Sequence, residues 1–220
     1  MSSEKDIDFN RQRAAMVSEQ LVPRGISDSK VLEAFLNTPR HEFVPEELYK
    51  GAYDDYPLPI GGNQTISQPY MVALMTQCLK LKGDEKILEV GTGSGYQAAI
   101  LCKIAKEVYS VERFKDLADK AAKALDSLGY RNVSIKIGDG TLGWDEFAPY
   151  DGIVVTANAP DIPESLVRQL KPGGRLIIPL DRGGFGQVLT LVEKIGKSVR
   201  TGDICGCMFV PLVGREGWPE

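Results

Sequence analysis

The sequence predicts an α/β protein with a doubly wound, mostly parallel sheet, antiparallel C-terminal strands and an N-terminal helical appendage. Three observations support this fold class. From residue 85 onwards, short apolar segments alternate with amphipathic ones, a pattern typical of a parallel sheet covered by helices on both faces. A glycine-rich loop follows the first of the apolar segments. Two further apolar segments near the C-terminus have no helix between them, so we expect antiparallel pairing there.

Length and composition favour one folded domain. The chain has 220 residues, of which 43% are hydrophobic and 25% charged, and these values exclude a disordered or fibrous protein. We predict a single domain over 1–220, with residues 1–83 as the helical appendage and ligand-covering loop and residues 84–220 as the cofactor-binding α/β core. The net charge of −4 offers no basic surface for a nucleic acid, so nucleic-acid binding is disfavoured.

Several residue types limit location and chemistry. The N-terminus is charged from its fourth residue, and no run of about 18 apolar residues occurs, so we expect a cytoplasmic protein with no membrane partner. The cysteines, including Cys205 and Cys207, are expected to be reduced, with no role assigned to that pair. A single histidine, His41, excludes a multi-histidine metal site and disfavours a Ser-His-Asp hydrolase. We expect His41 to be structural and the protein to be a monomer.

The N-terminal third shows helical periodicity interrupted by prolines. Helices are predicted over 9–22 and after a cap at Ser27 or Asp28. Residues 54–69 are rich in Pro, Gly, Asn and Asp, which predicts a long loop of the kind that covers a ligand. Apolar side chains at helical spacing then predict an amphipathic helix over 71–79.

The predicted core elements alternate between strand and helix until the C-terminal segment. They are strand 86–90, helix 95–105, strand 107–111, helix 117–128 closed by Gly129, strands 133–137 and 152–156, helix 163–170, and strands 175–180, 187–193 and 207–213.

The segment LEVGTGSGY, 88–96, is the most informative part of the sequence. It lies between the first core strand and the following helix, where backbone amides meet a ligand in doubly wound sheets. Tyr96 stands where the dinucleotide fingerprint requires Gly or Ala, so a pyrophosphate ligand is disfavoured. Glu89 ends the strand, and its negative charge favours a cationic ammonium or sulfonium group. The expected ligand contacts of this segment are Glu89, Gly91, Thr92, Gly93 and Gly95.

Two more carboxylates follow the next two strands. Glu112 comes about 20 residues after the first glycine, where a carboxylate can accept both hydroxyls of a ribose. The alternative is a surface glutamate beside Arg113. Asp139, followed by Gly140, either accepts from an adenine amino group or caps a turn. Together these side chains predict a pocket for an adenosine with a charged amino-acid tail, which is S-adenosylmethionine.

Several motifs resemble those of known families. LEVGTGSGY, the acidic ends at Glu112 and Asp139, and PYDGIVVTANAP (149–160) resemble the motifs of class I S-adenosylmethionine-dependent methyltransferases, which are Rossmann-like. PRHEFVP (39–45), NQTISQPY (63–70) and FVPLVG (209–214) further resemble segments of protein-L-isoaspartate O-methyltransferases. The resemblance extends from about residue 10 to residue 214.

This resemblance implies a carboxyl methyltransferase that acts on isoaspartyl proteins and peptides. The free α-carboxylate of an L-isoaspartyl residue would be methylated, with S-adenosyl-L-homocysteine as the product, and repair would proceed through a succinimide. The resemblance implies Ser67 as the active-site serine. It implies no metal. The implied cofactor contacts are Gln64, Thr65, Ile66, Ser67, the glycine loop, Glu112, Asp139 and Gly140. Some family members have Thr where this sequence has Val213.

Alternative functions remain open at this stage. A dinucleotide oxidoreductase is weakened by Tyr96 and by the lack of a Tyr-x-x-x-Lys pair. A nucleic-acid amino-methyltransferase would carry Asp/Asn-Pro-Pro-Tyr where residues 156–160 read TANAP. A methyltransferase for another carboxylate or small molecule, and a non-catalytic S-adenosylmethionine-binding module, also fit. From the residues alone, Ser67 could instead cap the helix that begins near Pro69.

Overall fold

The computed structural model describes residues 4–220, and of residues 4–8 only the backbone. Residues 1–3, with which the predicted appendage begins, lie outside the described residues. The helices are α1 (Glu4–Ala15), α2 (Ser29–Leu36), α3 (Pro69–Leu79), α4 (Tyr96–Cys102), α5 (Lys115–Ser127) and α6 (Glu164–Gln169). The strands are β1 (Leu58–Gly61), β2 (Gln64–Ile66), β3 (Lys86–Val90), β4 (Glu107–Glu112), β5 (Val133–Ile137), β6 (Tyr150–Val155), β7 (Leu170–Asp181), β8 (Gln187–Ile195) and β9 (Ser198–Cys207).

In the described part of the chain, seven strands form one sheet in the order β5-β4-β3-β6-β7-β8-β9. The strands from β5 to β7 pair in parallel, whereas β8 and β9 pair antiparallel. This order confirms the predicted fold class. The chain moves outwards from β3 to β5 and then returns to β6, so the direction of winding changes beside β3. In doubly wound sheets, ligands bind at the carboxyl ends of the strands at this position.

Apolar side chains cover both faces of the sheet. In the central strand β3, Ile87 belongs to a cluster that includes α2, α3 and α4, whereas Leu88 and Val90 belong to a cluster on the opposite face. Because successive side chains of a strand point to opposite faces, Glu89 shares the face of Ile87. None of the helices that the structure describes has the length and apolar character that crossing a membrane requires.

The first helix is shorter than the sequence predicts. A helix was expected over 9–22, but α1 ends at Ala15, and Met16–Leu21 continue as a wider π-helical turn. A 3-10 turn, Val22–Arg24, then ends at Gly25, whose φ is +89°. Pro23 has no N–H to donate to a helix, so helical periodicity cannot continue regularly through this position.

The loop predicted over 54–69 is partly ordered as a β-hairpin. Strands β1 and β2 pair antiparallel within it. The turn between them is Gly61, Gly62 and Asn63, all with φ between +56° and +92°. Glycine adopts such angles readily and asparagine tolerates them, so this sequence makes a tight reversal where its polarity indicated only a loop.

The last strand lies earlier in the sequence than predicted. A strand was expected over 207–213, but β9 ends at Cys207, and a turn with Gly196 at φ +63° joins it to β8. β9 is a largely exposed edge strand with four polar residues and two glycines, so its composition did not indicate a strand. The following segment contains Pro211, which cannot donate to a ladder, and it runs beside Asn158 instead.

Candidate functional site

A cavity of about 290 Å³ lies at the carboxyl ends of the central strands. Its walls come from residues 62–67, from 90–94 and 96–97 in and after the glycine loop, from residues 111–114 at the end of β4, and from the segment 210–213. Val72, Gly140, Thr156 and Ala157 complete the lining. The predicted residues Gly91, Gly93, Glu112 and Gly140 therefore border one continuous space.

The glycine loop places bare backbone against the cavity. Gly91, Thr92 and Gly93 line it, as predicted. Gly93 has φ +54°, and a Cβ there would have only the Ile60 Cδ1 atom nearby, at 3.5 Å. Its N–H donates to Glu112 Oε2 at 2.8 Å. A side chain at position 93 would therefore find room in the free protein and would occupy space at the cavity.

Gly95 has a different role from the one predicted. It does not belong to the cavity lining, and a Cβ at this position would lie 3.2 Å from the Cβ of Ala121 on α5. The residue allows α4 and α5 to approach each other closely. Its position in the motif predicted a ligand contact, but the packing of two helices explains the glycine.

Glu112 is buried and faces the cavity. Its side chain is only 5% exposed, so the surface alternative is wrong. The carboxylate accepts the N–H of Gly93 at 2.8 Å and that of Phe114 at 3.0 Å. Each carboxylate oxygen can accept more than one hydrogen bond, so capacity remains for hydroxyl donors in the cavity. The exposed ring of Phe114 lines the same end of the cavity and adds an apolar surface.

Glu89 lies beneath the loop and outside the cavity lining. It is fully buried, and its Oε2 accepts a hydrogen bond from the Ser110 hydroxyl at 2.5 Å. The Ser110 and Thr92 hydroxyl oxygens are 2.6 Å apart, so a polar chain connects Glu89 to the loop. Burial raises the pKa of Glu89 to about 8. The predicted negative charge facing a cationic ligand is therefore wrong, because alternation along β3 turns this side chain away from the cavity.

The buried carboxyl group of Glu89 is expected to make stability depend on pH. The fold raises its pKa from the ordinary value of 4.5 to about 8. Between these values the unfolded chain binds fewer protons than the folded chain, so the free energy of unfolding falls as the pH rises. The variant Glu89→Gln cannot ionise. We expect it to lose this part of the pH dependence and to exceed the wild type in stability near pH 8.

Urea unfolding at several pH values between about 5 and 8 measures this effect. The exposed Glu47 provides the control, because Glu47→Gln also removes one carboxyl group and should follow the wild-type curve. Parallel pH profiles for wild type and Glu89→Gln would contradict the prediction.

Asp139 caps a turn, which was the second of its two predicted roles. Its Oδ1 accepts the N–H and hydroxyl of Thr141 at 2.9 and 2.6 Å, and its Oδ2 accepts the N–H of Arg215 at 2.8 Å. Asp139 does not belong to the cavity lining, so this geometry does not support a contact between its carboxylate and an adenine. The neighbouring Gly140 does line the cavity, and a Cβ there would be 2.5 Å from Val90 Cγ1.

The segment from Gln64 to Ser67 lines the cavity throughout, as predicted. Ser67 does not cap α3, because Gln68 is the N-cap residue and makes no side-chain hydrogen bond there. The Ser67 carbonyl instead accepts a hydrogen bond from Arg40 Nη2 at 2.8 Å.

Arg40 anchors this segment from within the core. It is fully buried, donates through Nε to the Ala52 carbonyl at 2.8 Å, and lies over the Tyr96 ring at 4.8 Å. Burial lowers its pKa to about 10, so the guanidinium stays charged near neutral pH. The sequence contained this residue in the PRHEFVP motif, but nothing in the motif assigned it to Ser67. Its neighbour His41 stacks on Phe9 at 4.0 Å, in keeping with the predicted structural role.

Other cavity residues were quoted in sequence motifs without a predicted ligand contact. The hydroxyl of Thr156 donates to the Gly91 carbonyl at 2.7 Å and so holds the glycine loop. Residues 210–213 reach the cavity because the N–H of Asn158 donates to Val210 and its carbonyl accepts from Leu212. Val213 brings no hydroxyl to this wall. Among the side chains of residues 9–220, no group of three or more His, Cys, Asp or Glu is arranged to hold a metal ion.

Comparisons with known proteins indicate one family. The family model described as Protein-L-isoaspartate(D-aspartate) O-methyltransferase matches residues 11–217. A protein-L-isoaspartate O-methyltransferase of Geobacter metallireducens is 55% identical over 214 residues, which cover 96% of this chain and 98% of the relative. The enzyme of that name from Syntrophotalea carbinolica is 53% identical over 97% of this chain and 99% of its own length.

Two solved structures have the same fold. One protein-L-isoaspartate O-methyltransferase superposes with a TM-score of 0.83 at 32% identity, over 93% of this chain and 67% of that chain. A Plasmodium falciparum structure, described as a putative member in complex with S-adenosyl-L-homocysteine, superposes with a TM-score of 0.79 at 28% identity. This second match covers 92% of this chain and 98% of that chain.

Proposed function

Because the chain belongs to the protein-L-isoaspartate(D-aspartate) O-methyltransferase family, we propose that its cavity is the site of methyl transfer to isoaspartyl residues. The cofactor is S-adenosylmethionine, and the acceptor is the free α-carboxylate of an L-isoaspartyl residue in a damaged protein or peptide. The observation that carries this assignment is the convergence of the glycine loop, Glu112 and residues 64–67 on one cavity.

The cavity residues fit this cofactor. Glu112 retains acceptor capacity for the ribose hydroxyls, and the exposed ring of Phe114 offers a flat apolar surface to the adenine. Gly91, Gly93 and Gly140 leave the cavity free of side chains where the ligand must approach the backbone. Gln64, Thr65, Ile66 and Thr92 complete the proposed contacts. Glu89, Gly95 and Asp139 support these residues from outside the lining.

The reaction needs orientation more than acid-base catalysis. When bound, S-adenosylmethionine supplies an electrophilic methyl group on a sulfonium sulfur. The acceptor α-carboxyl group has a reference pKa of about 3.3–3.7, so it is already ionised at neutral pH. A carboxylate is a weak nucleophile, and holding it in line with the methyl group contributes about 7–11 kcal/mol. The protein therefore has to fix one oxygen atom in place and exclude water around it.

Residues 58–67 are suited to that task. The β1–β2 hairpin borders the cavity, and the buried Arg40 fixes the end of this segment through the Ser67 carbonyl. Arg40 holds the backbone carbonyl of Ser67, and the Ser67 hydroxyl can donate a hydrogen bond to the acceptor carboxylate. After methyl transfer the ester has a better leaving group than the acid, so the next backbone nitrogen can attack it and close a succinimide without the enzyme.

Replacing Ser67 should reduce transfer more than cofactor binding. In Ser67→Ala, the acceptor carboxylate loses one orienting hydrogen bond, and bonds to charged groups contribute about 1.5–3 kcal/mol. We expect kcat/KM for an isoaspartyl peptide to fall by about tenfold to a hundredfold, with the Kd for S-adenosylmethionine nearly unchanged. Ser134→Ala, on the exposed face of β5, controls for the loss of any hydroxyl. If the affinity for S-adenosylmethionine falls by the same factor as kcat/KM, Ser67 is a cofactor contact instead.

The chain is expected to act as a single-domain monomer in the cytoplasm. One apolar cluster contains Val31, Val72 and Ile100, so the appendage and the α/β core share their interior, which supports a single domain. Cys78, Cys102, Cys205 and Cys207 are free thiols, as a reducing compartment would keep them. Light scattering on the purified protein tests the monomer, for which the chain mass of 24.1 kDa is the reference.

A further inference from the structure

Two highly exposed apolar side chains lie near the cavity at the carboxyl edge of the sheet. Phe185 is 93% exposed and Met208 is 91% exposed. Phe185 follows β7 and Met208 follows β9, and both strands end at the same edge as β3 and β6. We refer to these two residues as the apolar rim.

The apolar rim has a well-defined backbone. The loop that carries Phe185 is closed by a hydrogen bond from the Arg182 N–H to the Gly186 carbonyl at 2.8 Å. The side-chain amide of Gln187 holds the segment that follows β9. It accepts the Phe209 N–H at 2.6 Å and donates to the Phe209 carbonyl at 3.1 Å. These bonds keep the two exposed side chains at one corner of the sheet.

The rim is continuous with the cavity wall. Residues 210–213 line the cavity, and Met208 is only two residues before Val210. Two residues of extended chain span at most about 7 Å. The Arg182 guanidinium forms an ion pair with Asp203 at 2.8 Å, and the Asp181 carboxylate accepts the Gly183 N–H at 2.6 Å. A polypeptide whose isoaspartyl residue enters the cavity would therefore meet an apolar surface within two or three residues.

We propose that the apolar rim binds apolar side chains of the substrate polypeptide, two or three residues from the isoaspartyl position. This inference rests on the proposed function and deepens it by naming a flanking preference. Burial of Phe and Met side chains against apolar partners provides the binding free energy. Charged or small polar flanking residues would leave both rim side chains exposed to water, so peptides that carry them should bind more weakly.

The experiment compares two isoaspartyl peptides of equal length with purified full-length protein. One peptide has Leu at the second and third positions on each side of the isoaspartyl residue, and the other has Ser there. The double variant Phe185→Ser/Met208→Ser removes the rim. Ile195→Ser is the matched control. Ile195 is 55% exposed and lies at the turn that joins β8 and β9, at the opposite end of these strands from the apolar rim.

We expect the wild type to prefer the Leu peptide by about fivefold to tenfold in kcat/KM, mainly through KM. The double variant should lose this preference and keep its activity on the Ser peptide, whereas Ile195→Ser should behave as the wild type. An unchanged preference in the double variant, or an equal loss on both peptides, overturns the inference. So does light scattering that shows a wild-type dimer and a monomeric double variant, because a second copy would then cover the rim. If the wild type methylates neither peptide, the proposed function itself fails.

Discussion

An isoaspartyl peptide is expected to be methylated about 100-fold more efficiently, or better, than the aspartyl peptide of the same sequence. In the isoaspartyl form the chain continues through the side chain, so the free carboxylate is the α-carboxylate and lies at a different distance from the flanking backbone. The segment from Gln64 to Ser67 is held by β2 pairing and by Arg40, so it cannot follow a displaced carboxylate. Misplacement of a reacting atom by about 1 Å can cost a factor of about 10².

Initial rates with labelled S-adenosylmethionine and the two matched peptides measure this selectivity. The kcat/KM ratio is the informative quantity, because both peptides have the same flanking residues and therefore make the same contacts outside the cavity. Comparable rates on the two peptides would refute the assignment of the acceptor. Preferential transfer to a nucleic acid would instead support a nucleic-acid amino-methyltransferase, the alternative that the net charge of −4 disfavours.

Replacing Gly93 by valine is expected to abolish S-adenosylmethionine binding while the protein still folds. A Cβ at this position has only the Ile60 methyl group nearby, so the free protein can accommodate it. The branched side chain would then extend into space that the cofactor needs.

The control for Gly93→Val is Gly129→Val. Gly93 has φ +54° and Gly129 has φ +80°, so valine is strained at both positions, at about 1–3 kcal/mol each. Gly129 follows α5, and a Cβ there would have no atom of the described residues within 4 Å. We expect similar losses in thermal stability for the two variants, and loss of calorimetric binding in Gly93→Val only. Wild-type affinity in a folded Gly93→Val protein would exclude the glycine loop as the binding surface.

Much of the site was predictable because it lies where strands end. The residues that follow β3 and β4 are close in sequence to strong apolar segments, and parallel strands bring their carboxyl ends to one edge. The positions of Gly91, Gly93 and Glu112 in the cavity lining follow from that rule. The same reasoning could not distinguish Asp139, because a carboxylate after a strand caps a turn as readily as it binds a ligand.

The family resemblance and the structure contribute different information about Ser67. Its place in NQTISQPY implied an active-site role, and the structure places it in the cavity wall. Only the folded chain shows that a buried arginine from another segment holds its carbonyl. The 27-residue separation between Arg40 and Ser67 contains two 3-10 turns and the β1–β2 hairpin, so no sequence periodicity connects them.

The sequence by itself determined the alternation of strands and helices, the glycine loop and the carboxylate after β4, because these depend on local patterns of apolar and small residues. The tertiary structure alone decided which of the acidic side chains lines the cavity. Glu89 and Glu112 both lie at strand ends, but side-chain alternation buries Glu89 beneath the loop, where burial raises its pKa to about 8, and leaves Glu112 at the cavity. The environment of a carboxyl group depends on the elements packed around it, and these come from distant parts of the chain.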